Sequence, residues 1–519
     1  MKVLFLYPNK VMVTRVALGI CYLSPYLKRD GHQVKMFDTT FMKCSDIQND
    51  DKLRESSLQV RNPNFKKYGL VEKEIDVFKE FEREIELFEP DLIAMSVVDP
   101  NYNFGLEFLR KAKKKNKDIM TIVGGPTATY APKEVIAEDG VDIICVGEGE
   151  EAMSELCGKM ENKKDIKNIK NLWVKYKGEI FKNDIRPLIN INEILYPDWD
   201  IFDQRHIIRP LGGKMYRMGI FSMTRGCVFR CKYCSNLALA QLYAGKGEYY
   251  RIKSPELMVK EIAFYKEKYN LNFVFFIDDL FPLHNSETMD EFCTLYKRHI
   301  GLPFNISLHP DLIKEDDFAK VVDAGCRNIC VGLESGNPEI RKRLLQRNYK
   351  NEQIIEVFKL ARKYKIRSSS FNMIGLPYET RKDIFDTIEL NKKAGPTTGT
   401  LTYFHPYRGS ELRELCIKER FYDASREKEY ESVYREESCL TLPHISSRTL
   451  RGLFKTFQLY VKLPRFMYSL IRIAEGESYI SKGVYFALRQ IFYIVTAKDS
   501  KWNFVNADQS SDVNEIEAV

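Results

Sequence analysis

The 519-residue chain lacks any run of about 18 consecutive apolar residues, the length that a membrane-spanning helix requires. Its first residues, MKVLFLYPNK, contain only a short apolar run and no small-residue cleavage site, so they do not resemble a secretory signal. We therefore expect a cytoplasmic protein without a membrane span. In that reducing compartment the 12 cysteines are expected to be thiols or metal ligands rather than disulfides.

The sequence also lacks a strong excess of one charge. Lys and Arg number 80 against 72 Asp and Glu, a net charge of +8. The pI of 8.6 lies below the value of about 9 that is typical of nucleic-acid-binding domains, so we expect no nucleic-acid partner. No internal repeat or low-complexity tract is present, and 44% hydrophobic with 29% charged residues is an ordinary globular composition. The length allows about three domains.

Residues 1–160 alternate between short apolar runs and amphipathic segments. The runs predict five buried strands, at Val3–Tyr7, Val34–Asp38, Leu92–Val97, Met120–Val123 and Ile143–Val146. Helical spacing predicts helices at Leu18–Arg29, Ile75–Phe88, Phe104–Lys115 and Pro132–Glu138, whereas Lys43–Lys67 is polar and irregular and is expected to form a surface insertion. This alternation predicts a doubly wound, Rossmann-like parallel sheet.

Small and polar residues follow four of these strands. Ligands of such sheets bind beyond the carboxyl ends of the strands, and glycine lets a bulky ligand approach the backbone closely. The alternative is that these segments are only tight turns. The candidate cofactor-binding residues are Asn9, Ser96, Gly124, Gly125, Thr127, Gly147 and Glu148.

The rest of the chain divides into a linker, a second alternating region and a helical end. Residues 161–215 contain a predicted hairpin, Leu172–Tyr176 with Glu179–Lys182, and an extended linker at Pro187–Pro210. Residues 216–410 contain six predicted strand–helix units, which favour a partial (β/α)6 barrel similar to a TIM barrel. Residues 411–519 are helical, with amphipathic Thr449–Leu463 and Ser478–Val495, and the polar tail after Lys501 is expected to be loose.

Three cysteines, Cys227, Cys231 and Cys234, follow the first predicted barrel strand in a CxxxCxxC arrangement. Three close thiolates favour a soft metal. A structural zinc site normally has four protein ligands, and no fourth Cys or His lies nearby in sequence. A 4Fe–4S cluster held by three cysteines leaves one iron open to bind a substrate or cofactor. The pattern therefore favours such a cluster, with zinc as the alternative.

This motif, with Tyr233 before its last cysteine, resembles the radical S-adenosylmethionine (SAM) superfamily. Further segments resemble the family's strand motifs in the expected order: Phe276–Phe281, Gly332–Gly336, Gly375–Pro377 and Tyr407–Ser410. One departure is that relatives often have an arginine in the third-strand motif, where this chain has Asn305–Leu312. There His309 either replaces that arginine or is only a polar residue at the end of the strand.

The resemblance implies a mechanism and a set of site residues. Cys227, Cys231 and Cys234 would hold three irons, and SAM would chelate the fourth and be cleaved reductively to methionine and a deoxyadenosyl radical. Glu334 would accept a hydrogen bond from the SAM amine or ribose, unless it forms only a salt bridge. The SAM-binding candidates are Tyr233, Asp278, Ser307, Glu334, Gly375, Leu376 and Tyr407.

The first region resembles the cobalamin-binding domains that precede some radical SAM barrels. The matching segments are Leu18–Leu23 with Gly31-His32, Gly124–Thr127 and Val146–Glu150. The Asp-x-His-x-x-Gly motif whose histidine ligates cobalt is missing, and His32 is expected to have a role in a turn. Cobalamin would then have no histidine on its lower face, which suits methyl transfer.

The main hypothesis is a cobalamin-dependent radical SAM enzyme that methylates an unactivated carbon or phosphorus in a small molecule or peptide. Its electron donor would be a flavodoxin or ferredoxin. One alternative is a cobalamin-dependent radical cyclase or rearrangement enzyme. A second is a non-catalytic cobalamin sensor or electron carrier, and a third is a tRNA methylthiolating enzyme. The last is disfavoured because residues 1–160 lack a second set of cluster cysteines.

Overall fold

The computed structural model describes residues 1–44, 50–61, 63–432 and 436–496. The polar tail predicted to be loose lies outside these residues, as does part of the predicted surface insertion. No helix in the described ranges is both long enough and apolar enough to cross a membrane.

The first sheet confirms the predicted doubly wound architecture. Its strand order is β2-β1-β3-β4-β5-β6-β7, and β1 to β5 pair in parallel. The strands are β1 Lys2–Tyr7, β2 Gln33–Asp38, β3 Leu92–Ser96, β4 Met120–Gly124, β5 Ile143–Cys145, β6 Leu172–Tyr176 and β7 Glu179–Lys182. The order reverses between β1 and β3, which is the switch point where such sheets bind ligands.

Helices cover both faces of this sheet because its strands are apolar on both sides. In β1, Val3 and Phe5 pack into one core, and Leu4 and Leu6 pack into the other. The helices are α1 Leu18–Arg29, α2 Asp50–Ser56, α3 Val77–Phe88, α4 Tyr102–Lys115, α5 Pro126–Tyr130, α6 Pro132–Ala137 and α7 Glu150–Glu161. Helix α5 begins directly after β4, in the Gly124–Thr127 segment that was predicted to border a ligand or, alternatively, to be only a tight turn.

The region predicted as a linker is more ordered than expected. The predicted hairpin, β6 with β7, is present, but it continues the first sheet as an antiparallel edge on β5. The predicted extended segment ends in strand β8 (Ile208–Leu211), which pairs antiparallel with β9 (Lys214–Phe221). Its Trp199 is buried and stacks on Tyr265, with 4.2 Å between the ring centroids. This packing explains why a stretch rich in proline is held firmly in place.

The second sheet is the predicted partial barrel. Six parallel strands run in the order β16-β15-β14-β13-β12-β9, and β8 adds an antiparallel edge strand beside β9. They are β9, β12 Phe273–Phe276, β13 Phe304–Leu308, β14 Cys326–Glu334, β15 Arg367–Ile374 and β16 Thr398–Tyr403, and the short strands β10 Thr224–Arg225 and β11 Arg251–Ile252 pair separately. The barrel helices are α8 Asn236–Leu242, α9 Pro255–Tyr269, α10 Ser286–His299, α11 Glu315–Ala324, α12 Asn351–Lys363 and α13 Arg381–Ala394.

The C-terminal region is helical, as predicted. It contains α14 Glu411–Lys418, α15 Glu427–Ser432, α16 Ser447–Lys462, α17 Tyr468–Ala474 and α18 Tyr479–Val495. Helix α16 buries Leu453, Phe457 and Tyr460 in a core that it shares with β16 and α13. The helical region therefore packs on the last strand of the barrel.

A buried ion pair supports the segment that follows β11. Lys253 Nζ lies 2.6 Å from Glu261 Oε2, and both side chains are almost fully buried. The Lys253 amide donates to the carbonyl of Met223 beside β10, so the pair supports the backbone next to the cysteine loop.

We expect Lys253→Met to destabilise the protein by roughly 3–5 kcal/mol, because it leaves Glu261 buried without its cation. The double variant Lys253→Met/Glu261→Leu should recover most of this loss, since neither charge then remains. Thermal unfolding of the three proteins at neutral pH measures the effect. A midpoint for Lys253→Met equal to that of the wild type would show that the pair does not support this region.

Candidate active site

The three cysteines of the motif lie in the loop between β10 and α8. Cys231 is buried, Cys227 and Cys234 are half-buried, and all three are free thiols. Gly226 precedes them at φ +89°, where any side chain would collide with the Tyr249 carbonyl. Burial raises the pKa of Cys227 to about 12, and the neighbouring charges of Asp279, Cys231 and Cys234 add to the shift.

The donor set fits an iron–sulfur cluster better than a mononuclear site. Cys231 and Cys234 lie close enough to Cys227 to raise the pKa of its thiol, and Cys231 also raises the pKa of the Cys234 thiol. Nevertheless, no three His, Cys, Asp or Glu side chains within the described ranges converge as ligands of a single metal ion. In a 4Fe–4S cluster each cysteine binds a different iron, so the sulfurs do not need to converge.

Glu334 lies beside this loop at the end of β14. It accepts hydrogen bonds from Tyr233 Oη (3.0 Å) and Arg347 Nη1 (3.1 Å). Burial raises the pKa of the Glu334 carboxyl, and Arg347 opposes that shift. The residue has φ +64°, and the β14–β15 register shifts next to it. A strained, non-glycine backbone at a buried carboxylate is typical of functional sites. The structure thus brings together Tyr233, Glu334 and the cysteine loop.

Arg347 is a site residue that sequence analysis missed. Its Nε donates to Cys231 Sγ at 3.4 Å, and its guanidinium also donates to the Gly332 carbonyl and the Tyr349 hydroxyl. It follows Glu334 by 13 residues and belongs to none of the segments that resemble family motifs, so no pattern in the sequence indicates it. A cation at this position stabilises thiolate and carboxylate charge in a buried environment.

His309 does not take the position of a cation at the cluster loop. Its ring stacks on Phe229 of the cysteine loop, with 3.6 Å between centroids, and burial lowers its pKa to about 2. A neutral imidazole packed in this way supports the loop. The charged group at Cys231 is the Arg347 guanidinium, which comes from the segment after β14.

Asp278 and Gly375 help to hold the loops of the site. Asp278 accepts from the Thr224 amide (2.6 Å) and hydroxyl (2.9 Å), so it fixes the backbone that leads to the cysteines. The Gly375 amide (2.6 Å) and the Leu376 amide (3.2 Å) donate to Glu379. Asp278 therefore faces the backbone that leads to the cysteine loop. The Glu379 carboxylate supports the glycine turn by accepting hydrogen bonds from its two amides.

The remaining SAM candidates lie on the barrel. Tyr407 and Tyr233 line a pocket of about 100 Å³ together with Met373 and His405. Ser307 is half-buried on β13.

A cavity of about 1310 Å³ separates the switch point of the first sheet from the barrel. Asn9 and Ser96 line it on one side. Ser235, which directly follows Cys234, lines it on the other side. No histidine is among its described lining residues, and His32 lies elsewhere, beside the N-terminal amine and Glu161. The cysteine loop and the ligand edge of the first sheet therefore face one shared space.

Several predicted cobalamin residues do not line this cavity; they are Gly124, Gly125, Thr127, Gly147 and Glu148. Gly125 has φ +90°, and a Cβ there would lie 2.9 Å from the Val97 carbonyl oxygen. Thr127 Oγ1 donates to Asp99 Oδ1 at 2.9 Å. Gly147 lies against the Tyr243 hydroxyl. These residues shape the edge of the sheet and its backbone turns.

The Glu148 side chain contacts arginines of the barrel domain rather than the cavity where cobalamin binding was expected. Its carboxylate pairs with Arg225 (3.1 Å) and Arg251 (2.6 Å), while Glu150 pairs with Arg225 at 2.6 Å. Burial opposes ionisation of Glu148, but the arginines outweigh it and lower its pKa. The Gly-Glu-Gly-Glu segment therefore joins the first sheet to the cysteine loop, because Arg225 lies two residues before Cys227.

The ionisation of Glu379 predicts a pH effect. Burial raises its pKa to about 8, above the ordinary 4.5. Between these values the folded protein keeps a proton that the unfolded chain has lost, so stability falls as pH rises. In Glu379→Gln this contribution is absent, and we expect its thermal midpoint to decrease less between pH 5 and 8 than that of the wild type. The exposed Glu356→Gln is the matched control, and equal pH profiles for all three proteins would contradict the assignment.

Comparisons with known proteins agree with this arrangement. Residues 11–157 match the B12 binding domain, and residues 221–390 match the Radical SAM superfamily. The chain is 25% identical to an uncharacterized methyltransferase of Pyrococcus horikoshii over 80% of this chain and 88% of that protein. It is 23% identical to the anaerobic magnesium-protoporphyrin IX monomethyl ester cyclase of Rubrivivax gelatinosus over 82% and 71%, respectively.

A similar solved structure is that of the radical SAM methyltransferase TsrM from Kitasatospora setae with cobalamin and a 4Fe–4S cluster bound. Its TM-score is 0.63 at 13% identity, over 96% of this chain and 99% of that chain, so the likeness is one of fold. The two domains together assign the cofactors that the site geometry fits. The chain belongs to the cobalamin-binding-domain-containing radical SAM superfamily and is a radical SAM enzyme whose cofactors are a 4Fe–4S cluster, SAM and cobalamin.

Proposed function

We propose that this enzyme methylates an unactivated carbon or phosphorus atom of a small-molecule or peptide substrate. The observation that carries the proposal is the shared cavity, which Ser235 of the cysteine loop and Asn9 and Ser96 of the first sheet line from opposite sides. When bound, the cluster and SAM supply a substrate radical, and cobalamin supplies the methyl group. The radical-generating group and cobalamin must both reach one substrate. This cavity is the space between the two domains that bind them.

The residues of the site have separable roles in this proposal. Cys227, Cys231 and Cys234 hold the cluster, and Arg347 stabilises its sulfur charge. Glu334 presents a carboxylate to the SAM amine, while the Gly375-Leu376 turn, Tyr233, Ser307 and Tyr407 border SAM. Asp278 fixes the loop backbone. Asn9 and Ser96 contact cobalamin directly. The other candidates at the sheet edge, Gly124, Gly125, Thr127, Gly147 and Glu148, position that edge.

The lining of the cavity favours an anionic substrate. Its basic residues are Lys10, Arg15, Arg54, Arg61, Arg209, Lys214, Arg367, Arg408 and Lys462. Asp99 is the one carboxylate among the described lining residues, and Arg408 pairs with it at 2.9 Å. Such an excess of cations around a concave site concentrates negatively charged ligands.

Two further elements belong to the proposal. The electron donor is a flavodoxin or ferredoxin, and the compartment is the cytoplasm. A radical cyclase or rearrangement enzyme is the second candidate, and the similarity to the Rubrivivax gelatinosus cyclase favours it. That reaction uses the same cofactors without consuming a methyl group, so product analysis separates the two.

The test uses the anaerobically reconstituted holoenzyme with reductant, a library of small anionic metabolites and SAM that carries a deuterated methyl group. Methyl transfer predicts both deoxyadenosine and S-adenosylhomocysteine, with label in a product and in the extracted cobalamin. Deoxyadenosine alone, with an unlabelled product, would assign the cyclase class instead. Cys231→Ala should lose most of the roughly four irons of a cluster and all deoxyadenosine formation. The matched control Cys326→Ala, a buried cysteine on β14, should retain both.

The hydrogen bond from Arg347 to Cys231 predicts a change in the cluster itself. Hydrogen bonds to cluster sulfurs raise the reduction potential. We expect Arg347→Met to lower the midpoint potential and to alter the EPR signal of the reduced cluster, and Arg347→Lys to restore part of both. Arg343→Met, on the exposed side of the same segment, is the control. An unchanged potential in Arg347→Met would show that the guanidinium supports only packing.

A further inference from the structure

The outer face of α17, α18 and the turn directly before α17 is apolar and exposed to solvent. Phe466 is 84% exposed, Tyr479 93% and Ile494 75%. Other large apolar side chains on the same helices are also exposed: Leu470, Ile473, Ile480, Phe486, Ile491 and Val495. Contiguous apolar patches of this kind mark a surface that contacts a protein or a membrane.

Helix α18 is apolar on both faces, which is unusual for a surface helix. Its inner face buries Leu488 and Phe492 in the C-terminal core. On a surface helix the opposite face is normally charged or polar. Here that face carries Tyr479, Ile480, Phe486 and Ile494, so packing among the described residues accounts for only half of the helix's apolar surface.

The charges carried by these segments are positive. Residues 465–474 contain Arg465 and Arg472, residues 479–495 contain Lys482 and Arg489, and neither segment contains Asp or Glu. Arg465 pairs with Glu389 of α13, so Arg472, Lys482 and Arg489 supply the positive charge of this face. The acidic residues of the intervening turn are engaged elsewhere. Glu475 pairs with Arg381, and Glu477 pairs with Arg451. An apolar face bordered by cations is complementary to an anionic lipid surface.

We propose that α17, α18 and the turn directly before α17 bind this enzyme to the surface of an anionic lipid bilayer, with Phe466, Tyr479, Ile480, Phe486 and Ile494 inserted at the headgroup level. Helix α18 has 17 residues and lies against the protein core, so it rests on the bilayer and does not cross it. Its residues Phe492 and Tyr493, and Thr496 directly after it, also line the large cavity. The lipid surface is therefore next to the cavity.

Co-sedimentation of the full-length holoenzyme with vesicles tests this surface independently of catalysis. We expect the wild type to bind vesicles of phosphatidylcholine with phosphatidylglycerol, to bind pure phosphatidylcholine at least fivefold less, and to dissociate as salt is raised. The double variant Ile480→Glu/Phe486→Glu should bind the anionic vesicles at least fivefold less than the wild type. Leu87→Glu, at a site 68% exposed on α3, is the matched control and should bind as the wild type does.

Two results would overturn the proposal. The first is that the wild type and the double variant bind anionic vesicles equally, or that neither binds them. The second is that light scattering shows a dimer for the wild type and a monomer for the double variant, while vesicle binding is the same for both. That second result would assign the face to a second copy of the chain. Circular dichroism and iron content confirm that the variants are folded. Since neither residue lines the cavity, S-adenosylmethionine cleavage in detergent-free buffer should be unchanged.

Discussion

The ion pairs between Glu148, Glu150 and Arg225 decide how the two halves of the enzyme meet. Arg225 lies directly before Gly226 and Cys227, so its guanidinium connects the cysteine loop to the carboxyl edge of the first sheet. Arg251 on the neighbouring strand binds Glu148 as well. A partly buried charge pair of this kind has a fixed geometry, because either partner left alone would be a buried charge. The separation of the two cofactor sites therefore depends on this network.

A second contact closes the same interface from the end of the barrel. Arg408, after β16, pairs with Asp99 after β3, and its backbone amide donates to the same carboxylate. Asp99 also accepts from Thr127, which links the segment after β4 to the contact. The arginine binds Glu427 of the helical region too. Three parts of the chain thus meet at one guanidinium, and both Asp99 and Arg408 line the large cavity.

The sequence predicted the strands well because their apolar runs depend only on local composition, and it predicted the cluster because three cysteines at short spacing must share a loop. It does not predict the direction of a side chain that depends on a partner distant in sequence. Glu148 was predicted to contact a cofactor, and in the structure its carboxylate pairs with Arg225 and Arg251 at the interface. Arg347 left no signal, since its role requires Cys231 to lie 3.4 Å away across the barrel. Motif residues were found more readily than the residues that hold them.

The net charge of +8 shows why composition is a weak guide to binding. Averaged over the whole chain, this net charge indicates a surface on which solvated cations and anions are interspersed. Most of the exposed ion pairs are consistent with such a surface. Yet nine cations line one cavity beside a single carboxylate among the described lining residues, and residues 465–474 and 479–495 contain four cations and no acid. Acidic residues elsewhere cancel this excess in the total. Because electrostatic attraction acts over roughly 10 Å in salt, a ligand responds to the local excess rather than to the sum.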